Sequence, residues 1–374
     1  MTYLKKPVLT SAFPRFFLLF FSLSLSPAFA VPHGEEIKLT THQTPIGQSV
    51  YVLDIDPHRT QIVAAHANDQ LPGRQTLSQM AKNFGALAGI NGGFFRLSVD
   101  KNGFPAGVLK IDEDWYGVSY QKRAAIGWRV GEGMHIDRIE TKTSLSINRQ
   151  PLKVHRLNPS IAPPSQKAAL FTPIFGDNTL SIANDQTACL FTKNRVIQHL
   201  SSSTGRSVHL QRGQYLFVAP PETKLDKICI PDATVALYFS VQPSTSDADW
   251  NDLDFIVGGS PLLIKDGQLI HDYRVERLPN DFVKQLHARS AIGLLSNGHW
   301  VFVVADQNLL NKDVGMTLSE LARFMKKLGC VHALNMDGGI SSSLYFQGKL
   351  INQPWFEREI GDAILVLPIY PKPH

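Results

Sequence analysis

An α+β fold, with mixed or antiparallel sheets and few helices, is predicted by three features of the sequence. Only two segments carry a capped helical period, strand-like apolar runs between turn residues fill most of the rest, and several pieces recur at both ends of the chain. The recurrences define two related half-structures, about residues 45–140 and 254–367, packed together. With 374 residues, 43% hydrophobic and 18% charged, the chain can bury a sizeable core.

The first thirty residues carry Lys5, Lys6 and Arg15, an apolar run from Phe16 to Leu25, and Ala28-Phe-Ala30, with no acid. Such a segment reads as a secretory leader cut after Ala30; a membrane span needs about 20 apolar residues and this run is shorter. Residues 31–374 then form a single domain with its core at about 45–367. Cleavage removes three of the 37 basic residues and none of the 32 acids, leaving a formal charge of +2. So nearly neutral a chain gives no support to a nucleic-acid surface, and no other stretch spans a bilayer.

The first helix lies in "QTLSQMAKNFGALAGINGGFF". Thr76 and Gln79 make a capping box, Leu77, Met80, Ala81 and Phe84 form the apolar face, and Gly85 ends it. A short strand, "ALAGI", runs into the turn Asn91-Gly92-Gly93. "AGVLKIDEDWY" and "RAAIGWRVGEGMHI", which begins at Arg123, then read as strands joined by turns. Residues 141–253 are less typical, with a proline-rich break at "NPSIAPPSQ", a polar "SSSTG" loop and strand-like "QYLFVA" and "TVALYFSV". Among the three cysteines, Cys189 and Cys229 share this stretch and are the expected disulfide; Cys330 sits just beyond a helix.

The carboxyl-terminal part repeats the earlier pieces. "GGSPLLIKDGQLI" echoes "AGVLKIDEDWY", and "RSAIGLLSNGHWVF", beginning at Arg289, echoes the Arg123 segment. "VFVVADQN" delivers Asp306 at the end of an apolar strand. The second helix starts at the Thr317/Glu320 capping box, carries Leu318, Leu321, Phe324 or Met325, and Leu328 inward, and stops at Gly329. "CVHALNM" is a buried strand, so Asp337 emerges at its carboxyl end before Gly338-Gly339.

Glycines beside Asn91 and Asp337 allow close backbone approach to a ligand, and an arginine such as Arg289 can hold a phosphate by two points. Taken singly, each turn is ordinary turn chemistry. His287, His299 and His332 lack metal-ligand spacing, and Ser341–Ser343 lack a nucleophile elbow; no phosphate-binding loop or dinucleotide fingerprint occurs.

In order, "INGGFF", "GGSPLLIKDGQ", "ARSAIG", "VFVVADQ", "MTLSELARFMKKLGC" and "ALNMDGGISSS" resemble the phosphodiester glycosidase domain family. The resemblance implies removal of an N-acetylglucosamine-type sugar from a sugar-1-phosphodiester, leaving a phosphomonoester. By matching position it implies Asp337, Asp306 and Arg289 as catalytic residues and Asn91, Gly92, Gly93, Gly338, Gly339 and Ser341 as substrate-binding residues, with no cofactor. Two positions depart from the family pattern. Gln307 stands where a glycine is usual, and Ile340 replaces a third glycine and narrows the space beside Asp337.

The leaving phosphomonoester is a stable anion, so the chemistry asks for anion holding and for stabilisation of an oxocarbenium-like sugar. On this reading Arg289 and the Gly92-Gly93 amides hold the phosphate, Asp337 acts as nucleophile or base, Asp306 assists, and Asn91 binds a sugar hydroxyl or phosphate oxygen. Two alternatives stand beside it. One is a cell-envelope protein that binds a glycan or anionic polymer without cutting it. The other is a phosphodiesterase in which Asp306, Asn335 and Asp337 gather calcium or magnesium. The leader places the protein in a bacterial periplasm or outside the cell.

Overall fold

A computed structural model describes residues 36–97, 102–119, 121–159, 167–175, 179–201, 207–306, 315–352 and 356–369. The expected leader and Gln307 lie outside these residues. The fold is α+β: among the described residues, antiparallel sheets carry the architecture, and one pair, Arg156–Leu157 with Ala169–Phe171, runs parallel.

Residues 45–140 and 254–367 share sheets. A seven-stranded sheet places Ser49–Ile55 from the first stretch directly beside Trp300–Ala305, followed by Arg289–Leu295, Cys330–Asn335 and Leu262–Lys265. In a second sheet Phe255–Gly258, from the later stretch, lies between Arg123–Trp128 and Leu109–Ile111. A five-stranded sheet sets Ala88–Asn91 between Leu344–Phe346 and Asp362–Pro368. Strands buried on both faces need near-continuous apolar sequence, and "WVFVVA" of Trp300–Ala305 is buried at every position.

Both expected helices form. Over Leu77–Phe84 the Thr76 hydroxyl accepts the Gln79 N–H, and Gly85 closes the helix in the left-handed region at φ 63°. Over Leu318–Lys327 the reciprocal Thr317–Glu320 box is complete, and Gly329 turns the chain at φ 93° into the Cys330 strand. A short third helix, Asn280–Lys284, has no side-chain cap and only five residues, too few for a legible period.

The middle region is part of the main body. Val108, Ala125 and Ile256 share one core with Cys189, Phe217 and Trp250. Within that core Cys189 and Cys229 form a disulfide, with Cα atoms 5.9 Å apart and 40 residues between them in sequence, while Cys330 is free and buried. Closing a loop of that length restricts the unfolded chain by about 2–4 kcal/mol. Reductant is therefore expected to lower the unfolding midpoint of the parent and to leave that of a Cys189→Ala/Cys229→Ala variant unmoved. Equal midpoints for parent and variant under oxidising conditions would show that the bridge contributes nothing.

Candidate active site

The site is built where strand ends from different sheets meet. In the seven-stranded sheet Arg289 stands opposite Ala305, and Ala291 opposite Asn335. The start of the Arg289 strand therefore shares an edge with the ends that deliver Asp306 and Asp337. Asn91 arrives there from the five-stranded sheet and staples the two together. Its Nδ2 donates to the Asp337 carbonyl at 2.7 Å, and its Oδ1 accepts from Ser290 Oγ at 2.7 Å and the Ser343 N–H at 3.2 Å. Asn91 is 1% exposed, so its amide orders the turns; the expected contact with a sugar hydroxyl or phosphate oxygen is not open to it.

Beyond Asn91, the two glycines bring in a residue that the sequence reading passed over. Gly92 N–H donates to the Asp362 carbonyl at 2.9 Å, Gly93 N–H to Asp362 Oδ1 at 2.7 Å, and Asp337 N–H to the Gly92 carbonyl at 3.2 Å. The expected use of both amides on a phosphate is therefore corrected: each is already taken by Asp362. The signal for this residue was present, because "IGDAILVL" puts a single acid into an otherwise apolar strand.

Asp337 and Asp362 form an electrostatically linked pair. Asp337 is half-buried, and loss of solvent pushes its carboxyl up to about 6, against the hydrogen bonds from Ser341 and the Gly338 N–H (3.0 Å) and the charge of Arg358. Asp362 is 3% exposed; loss of solvent pushes it up to about 7, opposed by the Gly93 N–H and reinforced by the negative charge of Asp337. Asp362 therefore keeps its proton to higher pH than Asp337 does. One fixed acid and one fixed base side by side can serve group transfer at an anomeric carbon.

The raised Asp362 value has a stability consequence. Unfolded, an aspartate releases its proton near 3.8; folded, this one keeps it until about 7. Folding takes up a proton between those values, so stability falls as pH rises through the window and the cost is fully present above it. Asp362→Asn is expected to stabilise the fold more at pH 8 than at pH 5, by about 2–3 kcal/mol. Denaturant unfolding at the two pH values tests this, and equal changes at both would contradict it.

Arg289 departs from its expected role. It is 1% exposed; its Nε donates to the Met316 carbonyl at 2.9 Å, and its Nη2 to the Phe282 and Gln285 carbonyls at 3.0 and 2.9 Å. The guanidinium also stacks 5.1 Å from the Phe282 ring, and burial lowers it to about 10. The Nε–Nη2 edge that would grip a phosphate instead ties the Asn280–Lys284 helix and Met316 behind the Asp337 turn. Asp306 ends a different strand of the same sheet. The Arg289 strand separates its strand from that of Asp337, two strand spacings or about 10 Å. Asp362, not Asp306, is the carboxyl coupled to Asp337.

Gly338 and Gly339 shape the Asp337 turn. Gly339 N–H donates to the Ala288 carbonyl at 2.8 Å and takes φ 61°, while a Cβ on Gly338 would lie 3.0 Å from the same carbonyl. Ser341 is buried against the Asp337 carboxyl. Ile340 is 49% exposed, so it forms an apolar rim beside the site and does not plug it. Asn335 is buried, donating from Nδ2 to the Ser260 and Met336 carbonyls at 2.7 and 2.8 Å. Among the described residues no group of three or more His, Cys, Asp or Glu side chains converges as metal ligands would.

Two arginines outside the expected set complete the surroundings. Arg358 lies over the Phe95 ring, 5.7 Å from its centroid, and its charge acts on Asp337. Arg123 lines a cleft with Gly93, Ser119, Gly258, Gly259 and Asp362.

A family model described as phosphodiester glycosidase matches residues 189–367, a span that contains Asp337 and Asp362. An uncharacterized protein of Rickettsia conorii is 23% identical over 231 residues, covering 61% of this chain and 77% of its own length. Among solved structures, a hypothetical protein from Synechocystis superposes with a TM-score of 0.74 at 22% identity, over 89% of this chain and 62% of that one. This chain thus spans less than two thirds of the Synechocystis protein. A Burkholderia pseudomallei protein designated as exported gives a TM-score of 0.70 at 19% identity, over 86% of this chain and 74% of that one. At such identities the shared property is the fold.

Proposed function

Through residues 189–367 the chain belongs to the phosphodiester glycosidase family, and from that premise we propose that it is an exported glycosidase that hydrolyses a sugar-1-phosphodiester of N-acetylglucosamine type. The observation that carries this reading is the pair Asp337 and Asp362, both pushed above the ordinary carboxylate range by burial and joined through Gly92.

Ionised Asp337 acts at the anomeric carbon, as nucleophile or as base toward water. The bond from that carbon to the phosphodiester oxygen breaks, and its electron pair leaves with the phosphomonoester. Water supplies the oxygen of the free sugar. Protonated Asp362 stabilises the departing anion by donating a hydrogen bond, a task that an acid near neutrality can perform without surrendering its proton. Ser341 and the Gly338 N–H aim the Asp337 carboxylate.

Export has three supports: the basic-apolar-small pattern of residues 1–30, the Cys189–Cys229 bridge, which suits an oxidising compartment, and the likeness to a protein designated as exported. Among the described residues no helix is long and apolar enough to cross a membrane.

The test is to incubate the purified protein with an N-acetylglucosamine-1-phosphodiester, with and without a chelator, and identify products by mass spectrometry. Free sugar plus phosphomonoester, insensitive to chelator, is the expected result. Sugar phosphate lost on chelation would instead mean metal-assisted cleavage at phosphorus, and saturable binding with no product across a panel of wall-derived phosphodiesters would mean a binding protein.

A further inference from the structure

Arg123 and Arg289 occupy matching places in the fold. Each opens a strand, Arg123–Trp128 or Arg289–Leu295, and each is followed by a small residue and Ala-Ile-Gly. Both strand starts also lie beside a glycine pair that follows or closes a neighbouring antiparallel strand. At Arg289 the pair is Gly338-Gly339, with Gly339 N–H donating to the Ala288 carbonyl at 2.8 Å; at Arg123 it is Gly258-Gly259, with Gly259 N–H donating to the Ala124 carbonyl at 3.0 Å. The glycine pairs meet the two strands at different points, since Ala288 precedes Arg289 and Ala124 follows Arg123, and the side chains are used differently as well.

Arg289 is 1% exposed and committed to backbone carbonyls. Arg123 is half-buried and lines the cleft, and its guanidinium makes no hydrogen bond or ion pair with a described residue. The carboxylate bonded to the neighbouring Ala124 N–H is Glu276, and that group is saturated. It accepts from Arg138 Nε at 2.9 Å, Ala124 N–H at 3.1 Å, Ser260 Oγ at 2.8 Å and Leu262 N–H at 3.0 Å. Asp362 has one oxygen on Gly93 and favours its neutral form. A guanidinium on a cleft wall with no anion of its own is suited to a ligand anion.

The glycines of the cleft make room without adding donors: the Gly93, Gly258 and Gly259 N–H groups are bonded to Asp362, Val108 and Ala124, so the charge that can meet an anion there is that of Arg123. The cleft also adjoins the carboxyl pair. Asp362 lines it directly, and the Ser260 N–H, one residue beyond Gly259, donates to the Asn335 carbonyl at 2.8 Å, two residues before Asp337.

We propose that Arg123 holds the phosphate of the substrate and of the phosphomonoester product, in a subsite between Gly93 and the Gly258-Gly259 turn. The choice of a sugar-1-phosphodiester as substrate rests on the glycosidase reading; the anion site itself can be probed without it.

The experiment measures binding of inorganic phosphate to the purified parent, Arg123→Gln, Arg123→Lys and Asp337→Asn by titration calorimetry, after thermal unfolding has confirmed that each is folded. Phosphate should bind the parent saturably, about 10- to 100-fold more weakly to Arg123→Gln, with intermediate strength to Arg123→Lys, and undiminished to Asp337→Asn. In turnover, phosphate should compete with the phosphodiester, and Arg123→Gln should raise KM more than it lowers kcat. Parental phosphate affinity in Arg123→Gln, or no phosphate binding by the parent, overturns the subsite. Sugar release that phosphate does not inhibit would also sink it while sparing the glycosidase. Phosphate binding that depends on Arg123 without any sugar release would support the subsite and reject the glycosidase.

Discussion

Asp337→Asn releases free sugar from an N-acetylglucosamine-1-phosphodiester at least about 10³-fold more slowly than the parent, because an amide can neither attack the anomeric carbon nor accept a proton from water. The variant keeps its fold. Asparagine retains an oxygen for the Gly338 N–H and removes a charge that burial disfavours, so the unfolding midpoint at neutral pH does not fall. Parental activity needs Asp337 ionised and Asp362 protonated, giving a bell whose acid limb lies near 6 and whose alkaline limb lies near 7. These limbs belong to the pair, since the charge of Asp337 raises Asp362. Asp362→Asn should remove the alkaline limb and leave the acid one. A near-parental rate in Asp337→Asn, measured on folded protein, would remove Asp337 from the chemistry.

Gly92→Ala has the largest expected effect on stability. A Cβ at this position would overlap Asp362 Oδ1 and lie 2.9 Å from the Asp362 carbonyl oxygen. Neither atom is free to retreat: Oδ1 holds the Gly93 N–H, and the carbonyl holds the Gly92 N–H. The substitution should cost about 3–5 kcal/mol in urea unfolding, as overpacking that also strands a buried polar group does. Gly339→Ala is the control. That glycine has φ 61° but nothing within 4 Å of its missing Cβ, so the backbone cost of about 1 kcal/mol is all that applies. Equal losses in the two variants would mean that contact with Asp362 is not what requires glycine at 92.

Much of this architecture was legible locally. The Thr317–Glu320 box, the Gly85 stop, the Cys189–Cys229 bridge and the delivery of Asp337 at a strand end all follow from residues close in sequence or from simple pairing arguments. Asp362 was not legible in its role, because its contact with Gly93 depends on Asp362–Pro368 pairing with Ala88–Asn91, a register set across the sheet. Arg289 misled for a related reason. Its acceptors come from a five-residue helix without a cap signal and from Met316, and no local pattern announces that such carbonyls will converge. Asp306 had the right residue type at the right strand end; what placed it apart was the strand order, with Arg289–Leu295 between Trp300–Ala305 and Cys330–Asn335. The echo between Arg123 and Arg289 was visible, but which of the two kept an open guanidinium depended on what folded against it.

The Asn91 staple joins residues 246 positions apart, and the Gly93–Asp362 bond spans 269. A growing or translocating chain therefore has its first turn long before either carboxyl exists to meet it. No amino-terminal fragment can contain the pair, and the Asp362 strand, close to the carboxyl end, must insert between Thr60–His66 and Ala88–Asn91, two strands both made early in synthesis. Closure over such separations is slow compared with local helix formation. Asp337 and Asp362 thus acquire their raised proton affinities only when that strand is in place, so a chain that stops short of it lacks the pair altogether.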